Sequence, residues 1–133
     1  MTRGKVVLVP FPFDDLATQK ARPAVCLTEP VTSHRHIVLA FVTSRLPDEL
    51  LETDIVLDPI DPDFAQTGLQ VQSTIRTHRL LTVASALIKR ELGTLSPQMQ
   101  ARVADGLRRL FALESTSAGG GKAEPNATSD SEA

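Results

Sequence analysis

An arginine directly before a proline, Arg22-Pro23, is where residue type and spacing first suggest chemistry in this sequence. Proline biases the residue ahead of it towards extended backbone, and an apolar run over 24–27 follows. The guanidinium therefore falls where a loop over 11–21, with prolines, paired aspartates and small polar residues, meets a rigid strand. That placement suits anion recognition, because arginine offers planar charged donors and a strand holds them steady. Position alone favours an ordinary surface arginine, so other residues must decide between the two.

Four further groupings carry polar chemistry. Cys26 is a lone cysteine inside an apolar run, which reads as a small buried hydrophobe in a reducing cytoplasm and leaves no internal disulfide. His34 and His36 would share one strand face, but no third ligand at metal spacing accompanies them, so the stretch reads as a solvated hairpin tip. Ser73 alternates in phase with Leu69, Val71 and Ile75, opposite Gln70, Gln72 and Thr74. Arg76, Thr77, His78 and Arg79 form a basic cluster that could touch phosphates or an acidic partner segment, although its plain reading is an exposed charged edge.

The elements that must position these residues are short. Residues 6–9, 24–27, 37–42 and 54–57 read as strands, the third ending at Thr43-Ser44-Arg45. Prolines at 59 and 62 open a long connection to Gly68. Strands over 69–75 and 79–83 follow, then an ambiguous stretch over 84–92 ended by Gly93. Ser96-Pro97 is a helix start, and Met99, Val103, Leu107, Leu110 and Phe111 give one apolar stripe through about Leu113, with Gly106 beside it. Residues 1–113 thus read as one domain and 114–133, without bulky apolar residues, as a disordered tail. The expected fold is mainly β with a C-terminal helix: a small, SH3-like antiparallel barrel.

Composition narrows the function. The chain has 133 residues and a formal net charge of −2, of which the tail contributes −3, leaving the body near +1. Phosphate binding must therefore come from a local cluster rather than a basic coat. Tryptophan and tyrosine are absent and five phenylalanines are present, which argues against a sheet of stacking aromatics. No apolar run approaches the roughly 20 residues of a membrane span, and 6–9 is too short for a signal peptide.

Five pieces in order, RGKVVLVPFPF, KARPAVCL, FVTSR, GLQVQSTIRTHRLLTV and LGTLSPQ, together resemble the MazF/PemK-like toxins of type II toxin–antitoxin systems. The resemblance runs from Arg3 to about Leu113. It implies a compact barrel, a homodimer, and a sequence-specific endoribonuclease that cuts single-stranded RNA without a metal or other cofactor. A MazE-like antitoxin partner is implied as well. Matched position by position, the arginine before proline is Arg22 and the threonine ending the third strand is Thr43, which become the expected catalytic pair. Gln19, Lys20, Ser44, Arg45, Ser73 and Arg76 become the expected RNA-binding residues. Some branches carry an arginine and an aspartate where this chain reads Val71-Gln72-Ser73, which leaves the general base unassigned. Ser73 stays open between a groove residue and a satisfied core hydroxyl. The acidic stretch 48–63, which has no lysine or arginine, either faces away from RNA or helps select bases. Two other readings share the barrel: a gyrase poison of the CcdB type, acting by binding, and a non-catalytic module.

Overall fold

In the computed structural model, residues 1–10 and 21–113 are described. Of the loop expected over 11–21, residues 11–20, with Gln19 and Lys20, lie outside the described residues, as does the expected tail 114–133, while Ala21 opens a strand. Six antiparallel strands form one sheet in the order β4-β5-β3-β2-β1-β6. They are β1 (Lys5–Pro10), β2 (Ala21–Cys26), β3 (His36–Thr43), β4 (Asp54–Leu57), β5 (Ser73–Ala84) and β6 (Arg90–Thr94). Among the described residues one α-helix, α1 (Pro97–Leu110), follows the sheet. This mainly β, curled sheet with a C-terminal helix has the architecture expected from the sequence.

Valine, isoleucine and leucine fill β1 and β3 in near-continuous runs, and Ala24, Val25 and Cys26 close β2, because these stretches are covered on both faces. In β3, Ile37 and Leu39 are buried on one face and Ala40 and Val42 on the other. Two cores result. Val6, Val25, Val42, Ile55, Leu57 and Ile75 pack with Met99 and Val103 of α1. Val7, Val9, Ala24, Cys26, Ile37, Leu39 and Val83 form the second cluster. The switch coincides with a register step, Ala40 facing Leu80 and Phe41 facing Arg76, so Thr77–Arg79 are extra residues on β5. An irregularity of this kind bends a strand and raises its twist, which lets β3 and β5 serve both layers.

Several element boundaries differ from the sequence reading. The strands expected over 69–75 and 79–83 are one, β5, beginning only at Ser73. Val71 is 53% exposed, so the alternation before Ser73 is not a strand face. The ambiguous stretch resolves into a 3-10 turn, Ser85–Leu87, and β6. Gly93 does not end an element; it lies inside β6, where a Cβ would meet the Gln66 carbonyl. Gly68, at φ 76°, similarly lays its backbone on Leu92. Through these two glycines the Ala65–Thr67 turn packs directly on the edge strand β6.

Helix α1 begins as its sequence demands. The Ser96 side chain accepts the Met99 N–H at 3.2 Å, and Pro97 takes the first turn. Gly106 is buried, and a Cβ there would stand 3.1 Å from the Thr53 carbonyl. The stripe runs out early: Phe111 and Leu113 are 54% and 62% exposed. On the far edge of the sheet, Arg102 of α1 donates to the Val56 carbonyl of β4 at 3.1 Å, occupying a backbone acceptor on an edge strand.

Candidate functional site

Arg22 lies in β2, half-buried and paired in register with Val9. The β2–β3 ladder pairs Ala24 with Phe41. The same register carried two residues on brings Arg22 level with Thr43. Residues two apart on a strand share a face, so Arg22, Phe41, Thr43 and, across β3, Arg76 look out from one side of the sheet, with Thr74 buried on that same side. It is the side opposite the packing with α1.

There Arg22, Pro23, Phe41, Thr43, Ser44 and Arg45 line a groove of about 410 Å³. A depression of about 360 Å³ shares Phe41, Thr43 and Arg45 with it and continues to Pro47, Asp48, Arg76 and Arg79. Thr43 stands where the two overlap. Its Oγ1 accepts the Arg45 backbone N–H at 3.1 Å, a hydroxyl-fixed turn. A hydroxyl that accepts one bond still has its own hydrogen to donate.

Electrostatically the groove is basic, although the chain is not. Four guanidinium groups, those of Arg22, Arg45, Arg76 and Arg79, line it, with Asp48 the carboxylate among its described lining residues. Arg79 places its guanidinium carbon 4.8 Å from the centroid of the Phe41 ring, within cation–π range. Arg76 donates its Nε–H to Asp54 Oδ1 at 3.0 Å, and the Asp54 side chain is wholly buried. This surface has the chemistry to hold a chain of phosphates: planar donors for the oxygens, a hydroxyl donor between them, and an aromatic face at one side.

Of the residues expected from the sequence, the fold brings together Arg22, Thr43, Ser44, Arg45 and Arg76. Ser73 is elsewhere. It is 4% exposed, pairs with Leu57 of β4, and donates its hydroxyl to the Val71 carbonyl at 2.9 Å. Its in-phase neighbour Ile75 belongs to the core under α1, and Ser73 is not among the residues that line the groove. Phe41, Asp48 and Arg79 are the residues the sequence reading left out of the site. Phe41 had a signal, being in phase with Thr43 on β3; Arg79 belonged to the basic cluster read as an edge. The acidic stretch divides: Asp48 reaches the groove, Asp54 lies beneath Arg76, and Glu52 pairs with Arg109 of α1 at 3.0 Å.

Other titratable groups lie outside the groove. Cys26 is 1% exposed, and burial pushes its thiol from 9.0 up to about 11, so it stays a neutral thiol. Glu29 accepts the backbone N–H groups of Thr2 and Arg3 at 2.8 and 3.0 Å, and those two bonds hold its carboxyl below the usual range. His34 lies on the exposed turn and His36 opens β3, half-buried, with their ring centroids 5.8 Å apart. Among the described residues no group of three His, Cys, Asp or Glu side chains could hold a metal ion. None of the described helices is long and apolar enough to cross a membrane.

Residues 2–111 match the family described as PemK-like, MazF-like toxin of type II toxin-antitoxin system. The chain belongs to this toxin family. Its fold is shared with solved structures at low identity. The Mycobacterium tuberculosis toxin MazF-mt6 superposes with a TM-score of 0.63 at 20% identity, over 83% of this chain and 98% of that one. A MazE-MazF structure from Deinococcus radiodurans gives 0.64 at 17%, over 86% and 98%. An endoribonuclease in complex with its cognate antitoxin, from a mycobacterial species, gives 0.62 at 15%, over 86% and 97%. No curated protein matches the sequence.

Proposed function

We propose that this toxin is a sequence-specific endoribonuclease that cleaves single-stranded RNA through attack by the 2′-hydroxyl, with no metal in the step. The observation that carries the reading is that Arg22 and Thr43 line one groove, flanked by further guanidinium groups. The 2′-oxygen bonds to phosphorus as its proton passes to a base, the bond from phosphorus to the 5′-oxygen breaks, and that oxygen takes up a proton. The products are a 2′,3′-cyclic phosphate and a 5′-hydroxyl.

Negative charge grows on the non-bridging oxygens during that step, and fixed donors aimed at it lower the barrier. Arg22 supplies charge and paired N–H groups; Thr43 supplies a hydroxyl hydrogen bond. An arginine side chain keeps its proton to above pH 12 or so, so these two groups act by electrostatics and positioning rather than as the base.

The toxin acts in the cytoplasm as a homodimer and is neutralised by a MazE-like antitoxin. Exposed Leu46 (70%), Phe111 and Leu113 support a further interface. Solved neighbours that contain an antitoxin support that partner. The test is incubation of purified protein with a long single-stranded RNA in EDTA. Discrete cuts with cyclic-phosphate and 5′-hydroxyl ends are expected. Intact RNA together with inhibited DNA supercoiling would place the protein with the gyrase poisons instead.

A further inference from the structure

Asp54 makes bonds that no packing requirement explains. Its side chain is wholly buried, yet Oδ1 accepts the Arg76 Nε–H at 3.0 Å and Oδ2 accepts the Leu51 N–H at 2.8 Å. Its own N–H donates to the Leu51 carbonyl at 3.0 Å. One carboxylate thus ties the end of the segment carrying Leu46, Pro47 and Asp48 to a guanidinium on β5, and both sides line the groove. Burying a charge is costly, and a buried ion pair is often no more stabilising than apolar side chains of the same volume. What the pair supplies that apolar residues cannot is direction.

We infer that Asp54 is a positioning residue, which holds Arg76 so that the Arg76–Arg79 end of the groove clamps a second phosphodiester of the bound RNA. The Nε–H of Arg76 is taken by Asp54, and an arginine has five N–H donors in a fixed fork. The two terminal groups are therefore aimed as a pair at the groove, where the side chain remains 18% exposed. Arg76 lies two strands from Arg22, roughly 10 Å away by the usual spacing between strands, so one oxygen cluster cannot serve both. Arg79, steadied over Phe41, borders the same depression. The inference rests on the RNA reading above, and the experiment separates the two.

The sign of the effect distinguishes positioning from plain electrostatics. Removing a buried negative charge beside an anion site should tighten anion binding if charge alone matters. Loss of direction weakens it. The probe is a fluorescent, uncleavable 2′-O-methyl oligoribonucleotide, titrated by anisotropy over a range of salt against wild type, Asp54→Asn, Arg76→Ala and the double variant, with thermal unfolding of each. Asp54→Asn and Arg76→Ala should each weaken binding about tenfold and lower the salt slope by about one. The double variant should bind no more weakly than Arg76→Ala. Tighter binding by Asp54→Asn, or a loss that persists undiminished in the Arg76→Ala background, overturns the inference. Should Asp54→Asn not fold, Arg76→Lys keeps the charge without the fork; binding as strong as wild type would then overturn it. No binding by wild type overturns clamp and ribonuclease together. Probe binding with the expected coupling, but no cleavage of ordinary RNA, upholds the clamp and overturns the ribonuclease alone.

Discussion

Thr43 Oγ1 accepts the backbone N–H of Arg45 at 3.1 Å, so one hydroxyl both borders the Arg22 groove and shapes the turn that carries a second guanidinium. That double use makes the hydroxyl, rather than the β-branched shape, the feature that matters. Thr43→Val keeps the shape and loses both bonds. It should lower the single-turnover cleavage rate by about 10²-fold, the usual cost of one lost donor to a developing oxyanion. Thr43→Ser should stay within a few-fold of wild type. Equal loss in both variants would point to packing.

Removing the helix cap should cost stability and leave the groove chemistry alone. Ser96 Oγ takes the Met99 N–H in a buried setting, and Ser96→Ala should destabilise by about 1 kcal/mol. In a domain of this size that is a fall of several degrees in Tm, read by thermal unfolding, with the cleavage rate unchanged below the transition.

How much of this could be read in the sequence follows from what sets each feature. Asp54–Leu57 and the Ser96-Pro97 helix start are specified locally, by a short continuous apolar run and a capping pair, and the structure has both. The single β5 strand was not legible. Its length depends on Thr77–Arg79 being accommodated opposite the Ala40–Phe41 step, a tertiary event with no local signal. Gly93 looked like a terminator because glycine often is one; the close approach of the Gln66 carbonyl, which demands it, lies far away in sequence. At the site, Arg22 and Thr43 were named from the resemblance, while Asp54 seemed one acid in an acidic run. Its pairing with Arg76 exists only because β4 and β5 are neighbours in that register.

Cys26 should be chemically silent in the native protein. Burial raises its thiol from 9.0 to about 11, so at pH 8 alkylation should be slow until denaturant exposes it, when it becomes rapid. The linkage has a definite sign. Between those two values the unfolded chain has lost the thiol proton and the folded chain retains it, so stability falls as pH rises from 9 towards 11. Cys26→Ala should flatten that part of the stability profile, measured by urea unfolding over the alkaline range.

The apolar residues left in water should be covered in a second copy of the chain. Leu46, Phe111 and Leu113 are each more than half exposed. Sedimentation at micromolar concentration should give a species of about 29 kDa, twice the 14.4 kDa chain. A single 14.4 kDa boundary would contradict the dimer.

The central claim, that the guanidinium of Arg22 acts on the scissile phosphate, is tested most directly by single-turnover cleavage of one mapped RNA in EDTA by wild type and Arg22→Ala. Wild type should release a cyclic phosphate and a 5′-hydroxyl at defined sites. The variant, with an unchanged melting curve, should be slower by about 10²–10³-fold. Cleavage by Arg22→Ala at the wild-type rate would contradict the account.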